Sequence, residues 1–151
     1  MKIEYQDCLA EYHKHGISFQ YPDFWELSEQ TDGTDILVTV AADDTCFWMI
    51  RILPGCPPPP QVVESCLEAF REEYEEVDVS ESDVTLAEIP AYARDVDFYC
   101  MELMNSAKFR CVRTTDFTLL AWWQGTFHEL EQRQPILEHM MNSVRADRVI
   151  G

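Results

Sequence analysis

The sequence predicts an α+β fold in which an antiparallel β-sheet is flanked by helices. Three observations predict it. The phrase Gly16-Ile17-Ser18-Phe19-Gln20-Tyr21-Pro22-Asp23-Phe24-Trp25-Glu26-Leu27 reads as two short strands hinged at Tyr-Pro-Asp. Alternating or β-branched stretches fill 35–42, 46–53, 94–104, 107–115 and 117–126. Two helical stripes stand among them, one acidic and central, the other closing the pattern at Met141-Asn142-Ser143-Val144-Arg145. At 151 residues the chain reads as one domain, 1–151.

Residues 1–15 carry little pattern and fit an N-terminal arm or a short strand. Ile17, Phe19 and Tyr21 alternate with Ser18 and Gln20, as one strand face does. Pro22-Asp23 breaks that strand. Trp25 and Leu27 alternate with Glu26 and Ser28 in the next, and Thr31-Asp32-Gly33 supplies turn chemistry. DILVTVAA over 35–42 and CFWMIRIL over 46–53 then form a hairpin across Asp43-Asp44-Thr45. The second run is apolar on both faces except at Arg51, which predicts a central strand covered on both sides.

Pro57 to Pro60 form a stiff lead-in to a helix, since proline suits the first helical position. Basic flanks that would suit a polyproline ligand are missing. The helix is expected over 61–77, with Val63, Cys66, Leu67, Phe70, Tyr74 and Val77 on one stripe. Glu64, Glu68, Glu72, Glu75 and Glu76 face elsewhere, as a solvated surface or a docking surface. Residues 84–89 read as extended before Pro90. Asn105-Ser106 is read as a turn, and the runs 94–104, 107–115 and 117–126 as an antiparallel meander. The last helix is expected over 131–145, which places Pro135 in its first turn.

There are 28 acidic and 11 basic residues, a formal net charge of −17. Nucleic acids and anionic membranes repel such a chain. The charge serves solubility through self-repulsion or attracts a basic protein or peptide. No run of about 18 apolar residues exists to span a bilayer. Met1-Lys2-Ile3-Glu4-Tyr5-Gln6-Asp7 has acids where a signal peptide needs an apolar segment, which predicts a cytoplasmic chain. The six cysteines, Cys8, Cys46, Cys56, Cys66, Cys100 and Cys111, lack CxxC spacing and read as buried structural thiols, with Cys46, Cys100 and Cys111 inside strands.

His13-Lys14-His15 could share a metal only with a third ligand, so it reads as a polar turn. No nucleophile motif, phosphate loop or zinc spacing occurs. No catalytic residue, metal site or cofactor is therefore assigned. Trp122 and Trp123 are consecutive and must face opposite sides of a strand. One fills the core; the other covers the second face or is an exposed anchor. The candidate partner-binding residues are Glu68, Glu72, Glu75, Glu76 and Trp122.

Gly16-Ile17-Ser18-Phe19 with Tyr21-Pro22 and Trp25, Ile89-Pro90-Ala91 before a long strand, and the terminal Ser143-Val144-Arg145 resemble the PsbP-like superfamily. That superfamily includes the Mog-type and DcrB-like proteins. The resemblance covers about residues 16–145. Where the family often has glycine before the Pro-Ala pair, this chain has Glu88-Ile89. The resemblance implies an α/β/α sandwich and an accessory or binding role, with no common active site to carry over. One branch, acidic cytosolic chaperones of secreted effectors, is similar in size, charge and element order. The expectation is thus a non-enzymatic protein-binding or accessory module, such as a secretion or assembly chaperone. It predicts an apolar groove on the sheet, a homodimer, and a basic or apolar client. The alternative is a small-molecule or metal-binding domain with a cavity between sheet and helix.

Overall fold

The computed structural model describes residues 5–147. β1 (Leu9–Lys14) and β2 (Ile17–Pro22) form a hairpin closed by His15 and Gly16, both at positive φ. Two such residues give a turn whose twist matches the strands it joins. His15 therefore sits in a turn, off the strand that carries His13. β3 (Glu26–Asp32), β4 (Asp35–Ala41) and β5 (Phe47–Leu53) follow. The turn expected at Thr31-Asp32-Gly33 falls at Gly33 and Thr34, because Thr31 and Asp32 still pair with Ile36 and Asp35. Cys46 lies just before β5, not inside it.

α1 spans Pro59–Glu73, with Pro59 and Pro60 as its first residues. Tyr74 ends it in extended backbone, and β6 (Glu75–Glu81) begins at once. The helix expected to reach 77 is therefore shorter, and Glu75 and Glu76 stand on a strand. Val77 and Val79 alternate with acids there, which is strand periodicity. β7 (Thr85–Leu86) and β8 (Ile89–Pro90) pair with each other around Ala87 and Glu88, so the stretch expected over 84–89 is a tiny hairpin.

β9 (Tyr92–Cys100), β10 (Leu103–Arg113) and β11 (Thr118–Thr126) make the expected meander. Its first turn is Met101–Glu102; Asn105 and Ser106 lie inside β10, opposite Phe98 and Asp97. α2 runs Phe127–Ser143 and is started by a capping box between Thr126 and Glu129. It opens four residues before the expected start, so Pro135 lies in its interior. Arg145 lies beyond it in β12 (Arg145–Ala146).

Seven strands form an antiparallel sheet in the order β3-β4-β5-β11-β10-β9-β6, and β1-β2-β12 form a smaller sheet. The fold is α+β and dominated by strand. Alternation along β11 splits the core. Leu119, Ala121 and Trp123 face one side, where they join Trp48 and Ile50 of the sheet, Leu137 and Met140 of α2, and Ile17 and Phe19 of the small sheet. Leu120 faces the other side with Phe98 and Phe109, under Val63 and Leu67 of α1. No helix among the described residues is long and apolar enough to cross a membrane.

Candidate functional site

α1 packs against β6, β9, β10 and β11. The same sheet face continues onto β5 and β4, where it carries Leu37, Thr39, Ala41, Phe47, Met49 and Leu53, all partly exposed. Their neighbours on the reverse face, Val38, Val40, Trp48 and Ile50, are fully buried. On its second face the central strand β5 packs against the α1 cluster only at its end, through Leu53, while Phe47 and Met49 are partly exposed, so the expected cover on both sides holds for only part of the strand. Its second face is apolar all the same.

The opposite face is also open in part, over β9 and β10, and its chemistry is different. It carries the partly exposed Asp95, Asp97 and Lys108, with Ser106 buried beside them; Lys108 Nζ lies 3.3 Å from Asp95 Oδ2 and the Ser82 hydroxyl donates to the same oxygen at 3.0 Å. Water can satisfy such a surface. A contiguous, partly exposed apolar surface marks a place where something else binds.

Trp122 stands at the border between α1 and the open face. Its ring stacks on Phe109 at 5.8 Å and meets the edge of Phe47 at 6.4 Å. Beside it a cleft of about 320 Å³ runs between the first turns of α1 and the sheet, lined by Arg51, Leu53, Val62, Cys66, Leu120 and Trp122 among others. Thr118 fixes the approach to this helix by donating its hydroxyl to the Pro57 carbonyl at 2.6 Å. Arg51 donates to Asp35 Oδ2 from Nε (3.0 Å) and Nη2 (2.7 Å), and from Nη2 to Asp32 Oδ2 (3.0 Å). Partial burial disfavours its charge, but these hydrogen bonds outweigh burial and raise its pKa. The guanidinium is thus pinned toward the sheet edge, and its stem forms part of the apolar wall.

The five sequence-predicted residues do not converge. Trp123 fills the core, so Trp122 is the partly exposed one. Glu68 and Glu72 are exposed on α1. Glu75 and Glu76 lie past its far end, in a second depression of about 590 Å³ with Glu73, Tyr74, Tyr99, Met101 and Glu102. α1 is about 22 Å long at its usual rise, so the Trp122 cleft and this depression are separate places. Phe47, Met49 and Leu37 are the site residues that sequence reasoning did not single out. The signal was present in the two-faced pattern of CFWMIRIL, but nothing in it said which face lacks a cover.

All six cysteines are free thiols. Burial, the nearby carboxylates of Asp44 and Glu129, and an opposing Arg133 leave the Cys46 thiol at about 12. Burial and neighbouring Cys66 push Cys111 up to about 12. Burial also raises Cys66, against the pull of Arg51. Such thiols are weak nucleophiles at neutral pH. Among the described residues no three His, Cys, Asp or Glu side chains are grouped to hold a metal. His13 Nε2 lies 3.4 Å from Asp147 Oδ1 at the surface.

No protein-family model matches the chain, and no curated protein matches it in sequence. Solved structures do resemble it. A Pseudomonas aeruginosa protein of unknown function, PA94, described as a regulator candidate, superposes with a TM-score of 0.55 at 14% identity, covering 89% of this chain and 94% of its own. LpqN, involved in cell envelope biogenesis of Mycobacterium tuberculosis, superposes with a TM-score of 0.53 at 14% identity, covering 91% of this chain and 89% of its own. At that identity the likeness is one of fold, and the chain shares its α+β architecture with these two proteins.

Proposed function

We propose that the chain is a non-enzymatic protein-binding module, acting as an accessory protein or a secretion or assembly chaperone. It seats an apolar segment of a client on the open β4–β5 face beside Trp122. The observation that carries this reading is the contrast between the two open sheet regions, one polar and one apolar. The favoured client segment is flanked by lysine or arginine, because the chain bears a net charge of −17 and Glu26 is exposed on β3 opposite Ala41 of that face. A second copy is the competing occupant, and it brings the same negative charge. The presence of α1 and α2 on opposite sheet faces supports placing the fold with the PsbP-like α/β/α sandwiches. Six free thiols support a cytoplasmic setting.

A photo-crosslinking amino acid at position 49 tests the reading in lysate of the native host. We expect it to trap a client with an apolar run and basic flanks, and the same group at position 108 on the polar face to trap none. Trp122→Ala should abolish the crosslink. Capture of only a second copy, or equal capture from both positions, would overturn the proposal.

The alternative is a small-molecule domain using the cleft between sheet and helix. Its volume of about 320 Å³ and apolar lining with Arg51 at hand favour that reading over a metal site. A thermal-shift screen of small carboxylates and apolar metabolites checks it, and a shift that survives Trp122→Ala would count against it.

A further inference from the structure

We infer that the depression at the far end of α1 is a second docking site, for a basic segment of a partner protein. It is independent of the Trp122 cleft. Its apolar content comes first. Among the described residues five large hydrophobic side chains are well exposed, and three of them, Tyr99, Met101 and Leu103, belong to the β9–β10 hairpin end. Met101 is 90% exposed. Tyr74, Tyr99 and Met101 line an open depression of about 590 Å³. Its floor is rigid, because Tyr74 packs on Phe98 at 4.4 Å and on Phe70 at 5.3 Å, and Phe70 and Phe98 meet at 5.0 Å.

Charge then selects the occupant. Glu73, Glu75, Glu76 and Glu102 line the same depression, and no lysine or arginine does. Among the described residues none of these four carboxylates is in an ion pair. A second copy of the chain would bring the same sign of charge and is disfavoured. A lysine or arginine side chain fits, with carboxylates around its head and tyrosine faces for its stem and charge. An adjacent apolar side chain meets Met101, whose flexible thioether adapts to different shapes.

The backbone is also costly at this place. Seven non-glycine residues among those described have positive φ, and Glu76, Met101 and Glu102 are three of them. A two-residue hairpin turn with both φ values positive is most favourable with Asn-Gly. Here it presents methionine and glutamate.

That turn supplies a variant that keeps the fold. Met101→Asn with Glu102→Gly idealises the turn while removing the methionine and one carboxylate. The probe is a fluorescein-labelled peptide of alternating lysine and leucine, with a glutamate-for-lysine peptide as control, read by fluorescence anisotropy at low salt. We expect the lysine peptide to bind and the glutamate peptide not to bind. The turn variant, and separately Glu73→Gln with Glu75→Gln and Glu76→Gln, should each weaken binding about tenfold. Trp122→Ala should bind as the wild type does, which separates this site from the proposed client face. Neutralising three exposed acids elsewhere, Glu11→Gln with Glu26→Gln and Glu131→Gln, should have a much smaller effect. No binding of the lysine peptide, equal loss in the distant variant, or full binding by the turn variant would each overturn the inference.

Discussion

Glu129 places both carboxylate oxygens on Thr45. Oε2 accepts from the Thr45 backbone N–H at 2.8 Å, and Oε1 accepts from its hydroxyl at 2.6 Å. Oε1 also accepts from the Thr126 N–H at 2.8 Å. One side chain therefore caps its own helix and ties that helix to the β4–β5 loop.

Burial works to raise the pKa of Glu129, but the hydrogen bonds from Thr45 and Thr126 outweigh it and hold the group down to about 2. A depressed carboxylate stabilises the fold above its unfolded pKa, near 4.5, and the stabilisation is lost as pH falls through the folded value. We expect about 3 kcal/mol of stability to disappear as pH falls from about 5 to below 2 through this group. Glu129→Gln should lack that component and be less stable by about 2 kcal/mol at neutral pH. Urea unfolding at a series of pH values checks both.

The two neighbouring tryptophans should separate in stability. Trp123 is 2% exposed in the core, so Trp123→Ala should cost about 4 kcal/mol. Trp122 is only partly covered, and Trp122→Ala should cost about 1–2 kcal/mol. Urea midpoints of the two variants check the order, and a larger loss for Trp122 would contradict the placement of the open face.

Cysteine labelling should follow burial and charge. Iodoacetamide at about pH 8, near the usual thiol pKa, should leave Cys46 and Cys111 unmodified in the folded protein and modify both in urea. Cys56, half-exposed in the loop before α1, should react in the folded state. Peptide mass spectrometry reads each site.

Pro135 is exposed inside α2, where it removes a helical hydrogen bond and crowds the preceding turn. Pro135→Ala should raise stability by about 1–3 kcal/mol. Calorimetry checks it; a lower melting temperature would mean that the proline's bend is fitted to the sheet beneath.

Most strands were legible because their side chains alternate against a single buried layer, as in Ile17-Ser18-Phe19 and Asp35–Ala41. Boundaries were harder where local chemistry points two ways. Glu75 and Glu76 suit a helix, and they hid the Val77–Val79 alternation of a strand. Met101 and Glu102 carry no turn signature, so the turn was sought at Asn105-Ser106. Thr126 and Glu129 do spell a capping box, a signal that Pro135 overshadowed. The candidate site was legible only as composition. Adjacent Trp122 and Trp123 fixed opposite faces, but which face a helix covers depends on where α1 lands, and that is a tertiary outcome.

The short pairing of β12 with β2 has a consequence for synthesis. Arg145 and Ala146 pair with Ser18 and Ile17, and the Ser143 hydroxyl accepts from the Gln20 N–H at 2.8 Å across 123 residues. Phe19, between those contacts, packs on Trp48 at 4.7 Å. On the ribosome, the first hairpin emerges early but meets its final neighbours only after residues 143–146 have left the exit tunnel. Until then Trp48, Ile50 and Phe19 lack the α2 side of their packing. The nascent chain therefore has a long interval in which its largest apolar cluster is unfinished, and its folding rate should be governed by this late, distant closure.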